Sequence, residues 1–205
     1  SPPNYIPNID DSIDAMAKKI GTSPEELAYE IMLENDGKNF IYAPLVNFVD
    51  NNFDVCHQML SDSNTIMGLG DGGAHVGFIL DAGYPTWLLS YWTRDKKSFS
   101  LEESIRRLTS DTASAIGLDD RGILKEGLKA DINVLDIEKL GSSDPFMSKD
   151  LPAGGRRLMQ KTSGYVVNIV SGKITYENGK KETNLPGKLV KLINVQEQFK
   201  EKKLA

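Results

Sequence analysis

The feature that most constrains this chain is a change in apolar spacing near residue 119. Before it, apolar residues recur at helical intervals; after it, they alternate with polar ones. Helices packed on a few strands must therefore precede a section made of short strands. In the first part, Ile13, Met16, Ala17 and Ile20 keep one helical face, and Gly21 closes that helix. Ser23-Pro24-Glu25-Glu26 starts another, with a capping serine, a proline at the first helical position and Glu26 placed for a capping box. Leu27, Ile31 and Met32 carry its apolar face. The run at 40–43 is short and rich in β-formers, so it reads as a buried strand. Asn51 or Asn52 caps a third helix through Phe53, Val55, Met59 and Leu60, and 65–69 reads as the strand that completes a strand-helix-strand unit. An apolar, aromatic helix follows around 86–92. Ser100-Leu101-Glu102-Glu103 then opens a helix to about Ile116, which Gly117 is placed to end.

Beyond residue 119, Arg121 to Leu124 and then Ala130 to Asp136 alternate with period two, 166–170 and 173–176 form a hairpin across Ser171-Gly172, and Asn178-Gly179 signals a further turn. Residues 141–163, rich in Ser, Gly, Pro and Lys, show no regular pattern and are expected to form a long covering loop. The end of the chain is polar and reads as a helix that frays.

Composition narrows the function. With 205 residues, 40% hydrophobic and 26% charged, the chain is long enough to bury a core. A net charge of -5 and a pI near 5.1 give nucleic acid no broad basic surface, so small-molecule chemistry is the expectation. No apolar run approaches the roughly 20 residues of a membrane-spanning helix. One cysteine, Cys56, rules out an internal disulfide framework and fits a reducing, cytoplasmic setting. The sequence opens on Ser1 and shows no signal-peptide pattern, and any targeting segment ahead of it is not visible.

The chemistry concentrates in Ile66-Met67-Gly68-Leu69-Gly70-Asp71-Gly72-Gly73-Ala74-His75, where a short apolar strand runs into an acid flanked by glycines. Glycines on both sides let the backbone turn sharply and let a metal or substrate approach the acid. Asp71 thus reads as a catalytic carboxylate and metal ligand at a strand end, or as an acid satisfied by loop amides. His75 reads as a second ligand or a hydrogen-bond donor to substrate, or as a structural histidine; Gly72 and Gly73 would line the substrate. Cys56 and His57 are adjacent on a helix, point in different directions and cannot both grip one metal. Their spacing to Asp71 and His75 matches no zinc pattern. Arg94, Asp95, Lys96 and Lys97 read as a solvated turn. Arg156 and Arg157 would reach an anionic substrate from a mobile loop, though solvated surface is the simpler reading.

Gly68-Leu69-Gly70-Asp71-Gly72-Gly73-Ala74-His75, then Tyr84-Pro85-Thr86-Trp87-Leu88-Leu89 and Leu101-Glu102-Glu103-Ser104-Ile105-Arg106-Arg107-Leu108-Thr109, resemble the end of the barrel in N-acyl-D-amino-acid deacylases of the amidohydrolase superfamily. The stretch from Ala115 to Val134 is similar to the passage by which that superfamily leaves its barrel for a small β-domain, and 164–173 to its late strand pair. The resemblance covers about residues 40–192. It implies an α/β fold: the C-terminal part of a (β/α)8 barrel over 1–118, a small β-rich composite domain over 119–192, and a polar tail over 193–205. It further implies a zinc hydrolase for N-acyl-D-amino acids in which Asp71 contacts the metal and shuttles the proton of its water to the departing amine.

The sequence departs from that family in lacking a His-x-His pair and the further histidines of the middle strands. Two histidines cannot supply the three or more protein ligands of a catalytic zinc. A complete barrel also takes about 250 residues. These departures predict that the chain is the C-terminal portion of a larger enzyme, inactive alone, whose missing N-terminal part is its first partner; oligomerisation stays open. Two other readings stand beside this one: a cyclic-amide hydrolase of the hydantoinase or dihydroorotase kind, and a non-catalytic assembly or ligand-binding module.

Overall fold

A computed structural model describes residues 4–44, 46–68 and 75–190, with the backbone alone for Val49. The expected tail over 193–205 lies outside the described residues. Two compact units emerge, one over 4–65 and one from Ile66 onward.

In the first unit, helix α1 (Ile13–Ile20) begins where the Ser12 hydroxyl accepts the Ala15 amide at 3.2 Å, and ends on Gly21 in the left-handed region at φ 77°. Helix α2 (Pro24–Gly37) starts on Ser23, whose hydroxyl accepts the Glu26 amide at 3.1 Å. The return half of the expected capping box is missing: Glu26 instead accepts the Thr22 hydroxyl at 2.7 Å. Regular helix stops before Glu34, which is extended, and Asn35 and Asp36 are left-handed. Helix α3 (Asp54–Ser61) follows a turn in which Asn52 Oδ1 accepts the Asp54 amide at 2.8 Å.

The strands expected at 40–43 and 65–69 do not form: 40–43 and 65–68 have no ladder partner, and Leu69 lies outside the described residues. A β-rich composition favours extension, but a strand exists only once a second backbone takes its hydrogen bonds. Tyr42 instead meets the Tyr5 ring edge-on at 5.6 Å. Among the described residues of this unit only Ala17 is fully buried, while Ile20, Tyr29 and Leu33 stand open to solvent.

The second unit holds the main core: Leu88, Leu89, Trp92, Phe99, Ala113 and Leu140. Helix α4 (Tyr84–Trp87) runs into a π-helical stretch, Leu88–Asp95. There the Thr93 hydroxyl donates to the Leu88 carbonyl five residues back at 2.9 Å, and the Lys96 amide reaches Tyr91 in the same wide register at 2.8 Å. Thr93 also pairs with the fully buried Ser104 hydroxyl at 2.7 Å, so two buried polar groups satisfy each other. Ser104 lies on helix α5 (Leu101–Leu108), capped by Ser100; Glu103 turns to Arg107 and leaves that capping box half made.

The expected single helix to Ile116 is two. Thr109 leaves the helical region (φ -125°, ψ -85°) while its hydroxyl donates to the Ile105 carbonyl at 2.6 Å, and helix α6 (Ser110–Ala115) restarts beyond it. Gly117 (φ 72°) ends α6 as predicted: Leu118 donates to Ala113 and Gly117 to Ser114, the paired bonds of a left-handed helix stop.

All strand pairings among the described residues are antiparallel, so this is a mixed helix and sheet structure in which those residues form no parallel barrel. Strands β1 (Ile132–Leu135), β6 (Tyr165–Val170), β7 (Lys173–Glu177) and β8 (Lys180–Lys181) make one sheet in the order β1-β6-β7-β8. Ser171 and Gly172 (φ 50° and 74°), then Asn178 and Gly179 (φ 49° and 76°), form its two tight turns where the sequence signals them. Residues 141–163 are not the irregular loop expected. They fold into two nested ribbons, β2 (Gly141–Ser142) with β5 (Thr162–Ser163), and β3 (Phe146–Ser148) with β4 (Arg157–Met159).

Candidate functional site

Asp71, Gly72, Gly73 and His75, the residues that the sequence nominates for the site, all belong to the glycine-rich run. Asp71, Gly72 and Gly73 lie outside the described residues. His75, the first described residue after them, is left-handed at φ 50°. Its carbonyl accepts the amides of Phe78 at 2.9 Å and Ile79 at 3.0 Å, which makes a tight turn at once. The imidazole is exposed and lies 5.3 Å from the Phe78 ring. One residue further on, the Val76 carbonyl accepts the Leu158 amide of β4 at 2.7 Å.

Two more links fasten the following helices to the β elements. The Thr86 and Tyr165 hydroxyls are 2.9 Å apart, and Arg94 Nη1 donates to the carbonyls of Leu140 at 2.6 Å and Ile137 at 3.0 Å. Arg94 is therefore no solvated turn residue. Its side chain is 25% exposed, and Asp95 grips the other edge of the guanidinium at 2.7 and 3.2 Å. That hydrogen bond outweighs partial burial and holds the Arg94 pKa above its ordinary value. Sequence reasoning missed Arg94 because its carbonyl partners lie more than forty residues away. Arg157 is committed as well, donating to both Asp150 oxygens at 2.8 and 2.7 Å from strand β4, while Arg156 is exposed.

A cleft of about 520 Å³ opens where Arg94, Lys139 and Lys161 meet Glu138 and Asp144. Two of its hydroxyls are engaged inside the protein: Ser143 donates to the Asp144 carbonyl at 2.9 Å and Ser163 to the Lys139 carbonyl at 2.7 Å. The cleft carries both signs of charge.

Cys56 and His57 sit on α3, in the other compact unit from His75. Partial burial pushes the Cys56 thiol pKa up, and its Sγ donates to the Asn47 carbonyl at 3.1 Å, so it is held as the protonated thiol. Among the described residues no three His, Cys, Asp or Glu side chains converge as a metal site requires. The described donors by themselves do not fit a catalytic zinc.

Comparison with known proteins supplies the class. The amidohydrolase family model matches residues 8–176, and the chain belongs to that family. It is 33% identical over 98 residues to a dihydroorotase of Lactobacillus johnsonii, a match covering 46% of this chain and 22% of that protein. A dihydroorotase of Bacillus thuringiensis is 39% identical over 87 residues, covering 40% of this chain and 19% of the relative. The matched part thus spans about a fifth of these relatives. No solved structure matches the chain. The family is part of the amidohydrolase superfamily, whose members are generally metal-dependent. No helix among the described residues is long and apolar enough to cross a membrane.

Proposed function

We propose that the full-length protein hydrolyses a non-peptide carbon-nitrogen bond in a small amide, with N-acyl-D-amino acids as its substrates and Asp71 as the group that moves the proton. In such a reaction water adds its oxygen to the carbonyl carbon and the C–N bond breaks. One proton has to leave that water and reach the departing nitrogen. A carboxylate in reach of both takes the proton as the water attacks and returns it as the amine leaves. Asp71 suits this role because the sequence sets glycines on both sides of it, residues with no side chain to bar a substrate carbonyl. The observation that carries the reading is the family match, which spans Asp71 within residues 8–176. Gly72, Gly73 and His75 are assigned to holding substrate, His75 as a donor to its carbonyl or carboxylate. A zinc ion, where bound, would polarise that carbonyl, and its ligands would have to come largely from outside the described residues.

A second reading is favoured by the names of the relatives. Two matching proteins are dihydroorotases, so a cyclic amide is the alternative substrate for the same bond-breaking chemistry. The full-length protein, supplied with zinc, is to be offered N-acetyl-D-amino acids, their L forms, dihydroorotate and hydantoin. Release of free amine from the D forms alone supports the first reading. Ring opening of the cyclic amides supports the second, and a folded protein that turns over none of them contradicts both.

A further inference from the structure

The cleft beside Arg94 lies wholly within the second compact unit, and hydrogen bonds fix its walls. Strands β2 and β5 pair along it, Gly141 opposite Ser163 and Ser142 opposite Thr162. Just past that pairing the Ser143 amide donates to the Lys161 carbonyl at 2.8 Å, and the Lys161 amide donates to the Ser143 hydroxyl at 3.0 Å. Arg94 braces the stretch 137–140 through its carbonyls. A ligand entering the cleft meets walls already in place, which lowers the cost of ordering them on binding.

The charges around the cleft fall into two groups. Arg94 is paired with Asp95 at 2.7 Å and Lys139 with Asp136 at 2.9 Å. Three others line the same space uncommitted: among the described residues, the Glu138 and Asp144 carboxylates and the Lys161 ammonium make no ion pair. Lys161 lies over the Phe146 ring, 5.8 Å from its centroid, a contact that leaves its N–H donors for an acceptor. The Thr162 hydroxyl likewise has no hydrogen-bond partner among the described residues. Opposite charges thus share about 520 Å³ without neutralising one another. An anion entering it is repelled by two carboxylates, and a cation by the lysine. A molecule that carries an ammonium and a carboxylate a few bonds apart complements both signs.

We propose that this cleft is a binding site for a small zwitterion, a free α-amino acid, with its ammonium toward Glu138 and Asp144 and its carboxylate toward Lys161 and the Thr162 hydroxyl. It rests on the cleft alone and holds whichever amide the protein cleaves. Glu138, Asp144 and Lys161 are exposed, so water screens each contact. The dissociation constant is accordingly modest, on the order of a millimolar.

The test titrates alanine into the full-length protein carrying isotopically labelled lysine and follows the backbone amide signals of Lys139 and Lys161 by NMR. Each signal is identified by its loss in Lys139→Gln or Lys161→Gln. Lys173 and Lys180, on strands β7 and β8, serve as internal controls. The two cleft signals should move saturably with a midpoint on the order of a millimolar while the controls stay still. Acetate and methylamine, each carrying one half of the zwitterion, should need at least about tenfold more. Removing both carboxylates together, Glu138→Gln with Asp144→Asn, should raise the alanine midpoint roughly threefold to tenfold. Cleft signals that do not saturate, or that stay still because alanine binds elsewhere, overturn the proposal. So does an unchanged midpoint in the double variant, and so does acetate or methylamine acting at the same concentration as alanine. Turnover of the amide substrates is scored separately, so loss of the catalytic reading leaves this result standing, and the reverse.

Discussion

Replacing Gly164 by alanine should destabilise the β-rich part of the molecule more than the same change at Gly172. Gly164 has φ 83°, and a Cβ there would lie 2.6 Å from Leu140 Cα, 2.7 Å from Leu140 N and 2.8 Å from the Asp136 carbonyl oxygen. All three are backbone atoms and cannot rotate aside. The same corner is pinned by the Asp136 amide donating to the Gly164 carbonyl at 2.8 Å and by Arg94 on the Ile137 and Leu140 carbonyls. A left-handed alanine costs about 1–2 kcal/mol, and forcing extra volume into a packed site a further ~1–3 kcal/mol. The sum, roughly 2–5 kcal/mol, is a large part of the 5–15 kcal/mol that holds a typical domain. Gly172→Ala provides the control, since Gly172 is also left-handed (φ 74°) but has nothing within 4 Å of the added carbon. Urea unfolding followed by circular dichroism should show a larger drop for Gly164→Ala than for Gly172→Ala. Equal drops for the two variants would refute the close-contact reasoning.

Two further predictions concern charge. Partial burial raises the Asp131 carboxyl pKa, but the hydrogen bonds from Lys129 and the Ser171 amide, with the charge of Arg121, outweigh it and leave the group below its ordinary value. Its folded pKa thus lies under the unfolded one, near 3.9. Asp131 therefore contributes stability that is fully present above about pH 4 and is lost as pH falls through the folded value. The urea midpoint should hold steady from pH 7 toward 5 and fall below about 4, while Asp131→Asn should start lower and fall less; parallel profiles would count against it. Arg94→Lys keeps the charge but not the planar fork that serves Asp95 and two carbonyls together, and should cost about 1–3 kcal/mol. A lysine variant as stable as the parent would show that the clamp carries no weight.

What the sequence disclosed and withheld follows from the range of each interaction. Ser23 and Ser100 announce their helices because capping involves atoms three residues apart, and Ser171-Gly172 and Asn178-Gly179 announce their turns for the same reason. The ribbons within 141–163 stayed hidden, since strands of two or three residues are too short to show alternation. Composition alone also suggested strands at 40–43 and 65–69, where the described residues, 40–43 and 65–68, found no pairing across the chain. Arg94 looked like surface because carbonyls distant in sequence were needed to draw it inward. For the site, local residues gave an acid among glycines and a family resemblance, which the amidohydrolase match supports at the level of the superfamily. The substrate was not legible, because the residues that would select it are not fixed by that motif.

The most direct test of the account is Asp71→Asn in the full-length protein, scored for turnover of the preferred amide and for folding side by side. Asparagine keeps the size of the side chain but cannot accept and return a proton. Turnover should fall by at least about a hundredfold, in the range usual for a general acid-base group, while the unfolding midpoint stays at the parent value. Full turnover in Asp71→Asn would contradict it.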